Sequence, residues 1–144
     1  MPAPDERVCV AAEWFEKAQH DLKAAAYLLK MKEECPTDTV CFHAQQAVEK
    51  YFKAWMVVHD IEFPKTHDVE ALVTLVPRTF RGKLTTEDQR RLTAYATMTR
   101  YPGPYEPISM AEARHAVRLA RRVQKVMRDA LPKDMLDGKR RRRP

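Results

Sequence analysis

Glycine is scarce in this sequence, which has 3 glycines in 144 residues and none between Met1 and Arg81. Stretches that lack glycine and are rich in alanine, leucine, lysine and glutamate favour helix. No apolar run approaches the roughly 20 residues that a membrane-spanning helix requires. The first residues, MPAPDERVCV, carry early acids and no long apolar run, unlike a signal peptide. We therefore expect a helical, cytoplasmic protein without a membrane segment.

The sequence also lacks the usual markers of a metal site, a cofactor site or a nucleophilic enzyme. Cys9, Cys35 and Cys41 are odd in number and form no C-x-x-C pair, which argues against a disulfide framework. No two histidines stand four residues apart, and none pairs with a cysteine at zinc spacing. A glycine-rich phosphate loop and a G-x-S-x-G motif are absent as well. The sequence therefore predicts neither a metal nor a cofactor.

Positive charge is concentrated at the C-terminal end of the chain. Lysine and arginine number 26 against 20 acidic residues, which gives a net charge of +6. The segment KRRRR, Lys139 to Arg143, holds 5 of the 26, and without it the excess falls to +1. Such a tail can contact RNA, DNA or an acidic partner, or it can be a disordered, solubilising end.

Apolar residues recur at spacings of three and four in successive segments, which predicts helices. Two capping-box patterns, Thr86-x-x-Gln89 and Ser109-x-x-Glu112, open the last two of these segments. The predicted helices cover about 11–31, 39–59, 68–76, 86–97 and 109–130. We expect an all-α, up-and-down bundle of about five helices. Residues 1–10 are an N-terminal extension, 11–131 the bundle and 132–144 a basic, disordered tail.

The second predicted helix carries a polar stripe on the side opposite its apolar stripe. Its members, His43, Gln46, Lys50 and Lys53, lie roughly 200° around the helix from the apolar positions. An imidazole and an amide in such a stripe are typical of polar contacts within a groove. A solvated or subunit-facing polar surface explains the same residues. His67 and Asp68, in the THD segment, fit a helix cap or a packing role, or a binding role.

The last predicted helix carries a stripe of cations: Arg114, Arg118, Arg121, Lys125 and Arg128. Few acidic residues on this helix offset the stripe, which makes it a candidate for binding phosphates. Favourable charge near a helix C-terminus is the alternative explanation. It accounts for Lys125 and Arg128 but not for Arg114. Together with the basic tail, the stripe could follow an RNA backbone.

The segment TRYPGPYEP, residues 99–107, interrupts the helices. Its prolines and glycine force a turn, which would present Arg100, Tyr101 and Tyr105 at a junction between two helices. Arginine binds anions with a fork of donors, and tyrosine can stack on a base. Alternatively, the tyrosines plug the end of the bundle and Arg100 caps helical carbonyls.

Self-association is predicted from the second helix. Phe42, Phe52 and Met56 lie outside its main apolar stripe, so this helix is apolar over more of its circumference than one bundle face requires. A surplus of this kind usually marks a protein interface. We expect a homodimer or a higher homo-oligomer, and a soluble monomer after Phe52→Glu.

The order of motifs resembles the HEPN domain family, named for higher eukaryotes and prokaryotes nucleotide-binding. The motifs are EWFEKAQHDLKAAAYLL, CFHAQQAVEKYFKAW, KTHDVEAL and TRYP before a final amphipathic helix, over roughly 12–131. The resemblance implies a helical bundle that dimerises. It also implies nucleotide or RNA binding, ribonuclease activity in toxin–antitoxin pairs, or a role beside a nucleotidyltransferase partner.

Nuclease members of the family carry an Arg-x(4–6)-His motif, which this sequence lacks. After Arg100 the next histidine is His115, beyond two prolines and a capping box. We therefore expect a non-enzymatic or weakly active protein that binds a nucleotide, RNA or a nucleotidyltransferase partner. A metal-independent ribonuclease built around Arg100 is the first alternative. A purely structural interaction module is the second.

Overall fold

The computed structural model describes residues 4–99, 102–103 and 106–136, and this part of the chain contains helices and no strands. The helices are α1 (Pro4–Leu28), α2 (Thr37–Val58), α3 (Val69–Val73), α4 (Thr86–Met98), α5 (Met110–Ala130) and α6 (Lys133–Leu136). Short 3-10 segments at Leu29–Glu34 and Arg78–Phe80 supplement them. The predicted all-α bundle is confirmed.

The antiparallel pair of α1 and α2 forms the centre of the bundle, and α5 packs against α2. Phe15 of α1 meets Tyr51 of α2 edge to face, with ring centroids 5.2 Å apart. The first turn of α1 lies beside the end of α2, where Arg7 and Val57 line one open cavity. A run of buried residues along α2 therefore serves as the common core for the surrounding helices.

Both ends of the predicted bundle differ from the structure. Helix α1 begins at Pro4, so residues 4–10 are its first turns and not a separate extension. Proline at the first helical position is tolerated because its missing N–H would have no partner there. At the other end, α6 buries Met135, so the described part of the predicted tail packs on the bundle. Residues 137–144, including Lys139 to Arg143, lie outside the described residues.

One of the two predicted capping boxes begins a residue earlier than expected. Thr85, not Thr86, caps α4: its hydroxyl accepts from the N–H of Asp88 at 3.0 Å, and Asp88 accepts from the N–H of Thr85 at 3.0 Å. Gln89 instead donates to the carbonyl of Leu84. Ser109 caps α5 and accepts from the N–H of Glu112 at 3.0 Å, but the Glu112 carboxylate accepts from Arg91 and Tyr95, so only half of the second predicted box forms.

The surplus apolar surface of α2 is covered by the chain itself. Phe52 and Met56 are both 0% exposed, so the prediction that they form an interface is wrong. The reason is that α1, α4 and α5 all pack on α2, and they cover more of its circumference than one bundle face. Phe42 is half-buried, with its ring centroid 5.6 Å from that of His43.

The loop before α4 approaches α5 closely at Gly82. Gly82 has a φ of +66°, and a Cβ atom there would lie 2.9 Å from a methyl group of Val123 and 3.1 Å from its backbone nitrogen. Glycine is therefore required at this position for two reasons, the left-handed backbone conformation and the close approach to α5. This contact fixes the position of the loop relative to α5.

Candidate functional site

The interrupting segment joins α4 to α5 close to the first turn of α2. Arg100, Tyr101 and Tyr105 lie outside the described residues, so their binding role stays a prediction. The ends of the segment are held in place. Thr99 donates to the carbonyl of Tyr95 at 2.5 Å, and Thr37 of α2 donates to the carbonyl of Ile108 at 2.7 Å.

A network of carboxylate, phenol and guanidinium groups joins α4 to α5 near the ends of this segment. Glu112 accepts from the hydroxyl of Tyr95 at 2.5 Å and from Arg91 at 2.8 Å. Burial, together with the neighbouring Glu112, raises the pKa of Tyr95 well above its ordinary value. Burial also raises the pKa of the Cys41 thiol to about 12. Both groups therefore stay protonated near neutral pH, and neither supplies a base or a nucleophile there.

The predicted polar stripe of α2 divides into two separate clusters. In the first, Asp21 of α1 joins two members of the stripe. Its carboxylate lies 2.8 Å from Nδ1 of His43 and accepts from Nζ of Lys50 at 2.6 Å. Asp21 is the partner that the stripe alone did not reveal, although its place in the A-x-x-D-L segment of α1 is visible in the sequence.

The second cluster is buried except for His67, whose side chain is half exposed. Glu49 is 2% exposed, accepts from Lys53 at 2.6 Å and from Gln45 at 2.9 Å, and lies 2.9 Å from Nδ1 of His67. Gln46 donates to Gln45 at 2.6 Å. The expectation that Lys53 lies on an open polar face is therefore wrong.

Aromatic rings account for the burial of Lys53. Its ammonium group lies 5.3 Å from the ring centroid of Trp14 and 5.6 Å from that of Phe63. Cations over aromatic faces are attracted by the negative charge of the ring face. Trp14 belongs to α1 and Phe63 to the connector after α2. These two segments therefore cover the Lys53 end of the predicted stripe.

Asp68 has a structural role. Its carboxylate accepts from the N–H of Ala71 at 3.2 Å and so caps α3. Thr93 of α4 lies beside this cap and accepts from the N–H of Val69 at 3.0 Å. The THD segment therefore ties α3 to α4 through Asp68 and to α2 through His67 and Glu49.

The cationic stripe of the last helix is exposed along its whole length. We call it the basic face, and it consists of Arg114, Arg118, Arg121, Lys125 and Arg128. None of the five forms an ion pair with a residue that the structure describes. At about 1.5 Å per residue, the face extends for about 21 Å.

An open cavity lies along one edge of the basic face. Arg118 and Arg121 line it together with Arg122 and His115, and its volume is about 390 Å³. His115 also lies 3.2 Å from the carboxylate of Asp88 on α4. On the other flank of α5, Gln124 donates to Gln19 of α1 at 2.5 Å. Contacts on both flanks therefore hold the face in one orientation.

Within the part of the chain that the structure describes, no group of three histidine, cysteine, aspartate or glutamate residues could hold a metal ion. None of the described helices has the length and apolar character needed to cross a bilayer. The candidate site among the described residues is thus the extended cationic surface of α5.

Comparisons with known proteins agree with this fold. A family model described as the HEPN domain matches residues 11–130. Among solved structures, the chain is similar to the crystal structure of TT1696 from Thermus thermophilus, with a TM-score of 0.67 and 26% sequence identity. That similarity covers 84% of this chain and 98% of the other. No curated protein matches the chain.

Proposed function

Because the chain belongs to the HEPN domain family, as its motifs indicated, we propose that it binds RNA through the basic face of α5. The protein acts as a binding component and not as an efficient nuclease, since the Arg-x(4–6)-His motif of the nuclease members is absent. The ligand is an extended chain of phosphates, because the face is long and open and not an enclosed pocket.

The charge on α5 supports this function. Each cation of the basic face lacks an ion-pair partner among the described residues, whereas Asp21 and Glu49 elsewhere are both paired. Phosphates that bind such cations release counterions, which is the main source of sequence-independent affinity for nucleic acids. Arginine adds a planar fork of donors that matches two phosphate oxygens.

RNA binding can be measured by fluorescence anisotropy with a labelled single strand of about 12 nucleotides. For five phosphate contacts, we expect the logarithm of the binding constant to fall with the logarithm of salt concentration with a slope of about −3.5. The double variant Arg118→Gln, Arg121→Gln should bind more weakly, with a slope shallower by about 1.4.

A matched control removes two exposed cations elsewhere on the molecule. Lys17 lies on α1 beside Trp14, and Lys65 lies on the connector after α2. The double variant Lys17→Gln, Lys65→Gln loses the same net charge and should keep the wild-type slope. RNA binding that is absent from the wild type, or equally weakened in both double variants, would contradict a specific role for α5.

Membership of the HEPN domain family also supports a proposal about the partners of the chain and the type of system in which it acts. We propose that the chain acts as a homodimer and as the partner of a nucleotidyltransferase in a toxin–antitoxin type system. The alternative is a ribonuclease built around Arg100. Cleavage of end-labelled RNA in the presence of EDTA, lost in Arg100→Ala, would favour this alternative over a purely binding role.

A further inference from the structure

A second group of cations lies on the loop between α3 and α4. Arg78, Arg81 and Lys83 line an open cavity of about 370 Å³, together with Thr86 and Gln89 of the first turns of α4. Among the described residues, no carboxylate lines this cavity. None of the three cations forms an ion pair with a described residue. We call this site the loop cavity.

The loop that carries these cations is held in a defined conformation. The ring of Phe80 packs on Trp55 of α2, with centroids 5.6 Å apart. The Nε atom of Arg81 donates to the carbonyl of Val76 at 2.6 Å, which leaves the two terminal nitrogens of the guanidinium for another acceptor. Gly82 and Lys83 both have positive φ angles, of 66° and 58°. The backbone of the loop and the side chain of Arg81 are thus positioned before any ligand arrives, which lowers the entropic cost of binding.

The loop cavity lies beside the flank of α5 that carries His115 and Arg122, and not beside the basic face itself, because Val123 is buried on the side of the helix opposite that face. Gly82 lies between Arg81 and Lys83 and packs on Val123, the neighbour of Arg122 in α5. The contact between His115 and Asp88 joins α5 to the first turn of α4 on the same side. A strand that crosses α5 at Arg118 and Arg122 would therefore reach the loop cavity next.

The cations, and not the N-terminus of α4, are the groups in this cavity that would attract an anion. Asp88 and Thr85 already satisfy each other's backbone N–H groups in the capping box. Burial would raise the pKa of Asp88, but hydrogen bonds from Thr85 and His115 outweigh burial and lower it below its ordinary value. The carboxylate of Asp88 is therefore ionised and occupied, and Arg78, Arg81 and Lys83 remain to meet a phosphate.

We propose that the loop cavity is a second phosphate-binding site, which holds a phosphate of the same RNA strand that lies across α5. This inference rests on the proposed function and adds a direction to it: the strand crosses α5 towards α4 and does not only run along the helix. Arg81 supplies a fixed fork for two phosphate oxygens, and Arg78 and Lys83 neutralise the charge.

The test is the salt dependence of RNA binding by the double variant Arg78→Gln, Lys83→Gln. Arg81 is retained because its bond to the carbonyl of Val76 holds the loop. If the loop cavity adds two phosphate contacts to the five of the basic face, the wild-type slope with the RNA of about 12 nucleotides should be about −4.9, and this double variant should return it to about −3.5. The control variant Lys17→Gln, Lys65→Gln should keep the wild-type slope, and a titration should give one RNA strand per protein chain.

Three results would overturn the loop cavity as a site on this strand. If Arg78→Gln, Lys83→Gln keeps the wild-type slope while Arg118→Gln, Arg121→Gln loses part of it, α5 binds RNA and the loop cavity does not. If two strands bind per chain, the two surfaces hold separate ligands. If neither variant changes the slope, or the wild type binds no RNA, the proposed function fails together with this inference.

Discussion

Asp21 lies between two cationic partners, and this position makes its ionisation part of the stability of the fold. Burial raises the pKa of Asp21, but hydrogen bonds from His43 and Lys50 outweigh burial and hold the pKa below its ordinary value of 3.8. A carboxylate whose pKa is lower in the folded state stabilises that state above the unfolded pKa. This contribution is lost as the pH falls through the folded pKa.

We therefore expect Asp21→Asn to lower the free energy of unfolding by about 1–3 kcal/mol at about pH 7. The difference from wild type should shrink as the pH falls below about 4, because the wild-type carboxyl then becomes protonated as well. Urea denaturation followed by circular dichroism over this pH range measures both quantities.

Asp129 provides the control for this prediction. It is exposed on α5 and forms no ion pair with a described residue. Asp129→Asn should change the free energy of unfolding by less than about 0.5 kcal/mol. A loss in Asp21→Asn that is constant with pH would show that the carboxylate does not act through its charge.

At the scale of helices, α2 contacts α1 through Lys53, whose ammonium group pairs with Glu49 of the same helix and lies over the ring of Trp14 of α1. Lys53→Met leaves a buried carboxylate with only Gln45 and His67 as partners, so we expect it to cost about 3–5 kcal/mol. Glu49→Gln should cost a comparable amount, because it leaves a buried ammonium group between Trp14 and Phe63. Urea denaturation measures each loss.

The double variant Glu49→Gln, Lys53→Met tests whether the two charges act as a pair. Replacing both partners removes the unpaired charge that each single variant leaves, so the double variant should lose less than the sum of the single losses. Losses that simply add would show that the two side chains contribute independently. Lys17→Met, at an exposed position of α1, is the control for a lost lysine.

The helices could be predicted from local spacing, while their partners could not. The periodic pattern placed the ends of α2 and α5 within two residues of the observed Thr37–Val58 and Met110–Ala130. The pattern wrongly predicted Phe52 as an interface residue, because spacing along one helix does not show how many other helices pack against that helix. Lys53 was misplaced for a related reason, since its burial depends on rings from two distant segments.

The candidate site, like the fold, was predictable where it depends on one helix and unpredictable where it depends on contacts between elements. An exposed cationic stripe on an amphipathic helix depends on that helix alone, so the sequence located the basic face of α5. The cations at Arg78, Arg81 and Lys83 gave no periodic signal. Their relation to α5 depends on the contact of Gly82 with Val123, which is a tertiary feature.

Charge is distributed unevenly over the whole molecule. Asp21 of α1 and Glu49 of α2 are paired within the bundle, while α5 and the loop cavity present cations to solvent. A one-sided field of this kind attracts polyanions and orients their approach. Association with RNA should therefore slow markedly as salt screens the field.

Self-association is also a property of the whole molecule. Because Phe52 is buried, a substitution at another position is needed to test it. Phe52→Glu places a charge in the core, so we now expect an unfolded protein and not a monomer. Among the described residues, the large hydrophobic side chains that are exposed are Tyr27 and Met31, at the end of α1 and in the segment after it. If the chain forms a homodimer, these two side chains are candidates for the apolar part of its contact.

The double variant Tyr27→Glu, Met31→Glu should accordingly be folded and monomeric, because both changes lie on the surface and introduce repulsion between two copies. Light scattering after gel filtration gives the mass, and circular dichroism confirms the fold. A folded monomer from Phe52→Glu would restore the interpretation of Phe52 as an interface residue. A dimer that persists in Tyr27→Glu, Met31→Glu would place the contact elsewhere, and RNA binding by that dimer would show that the contact leaves the basic face open.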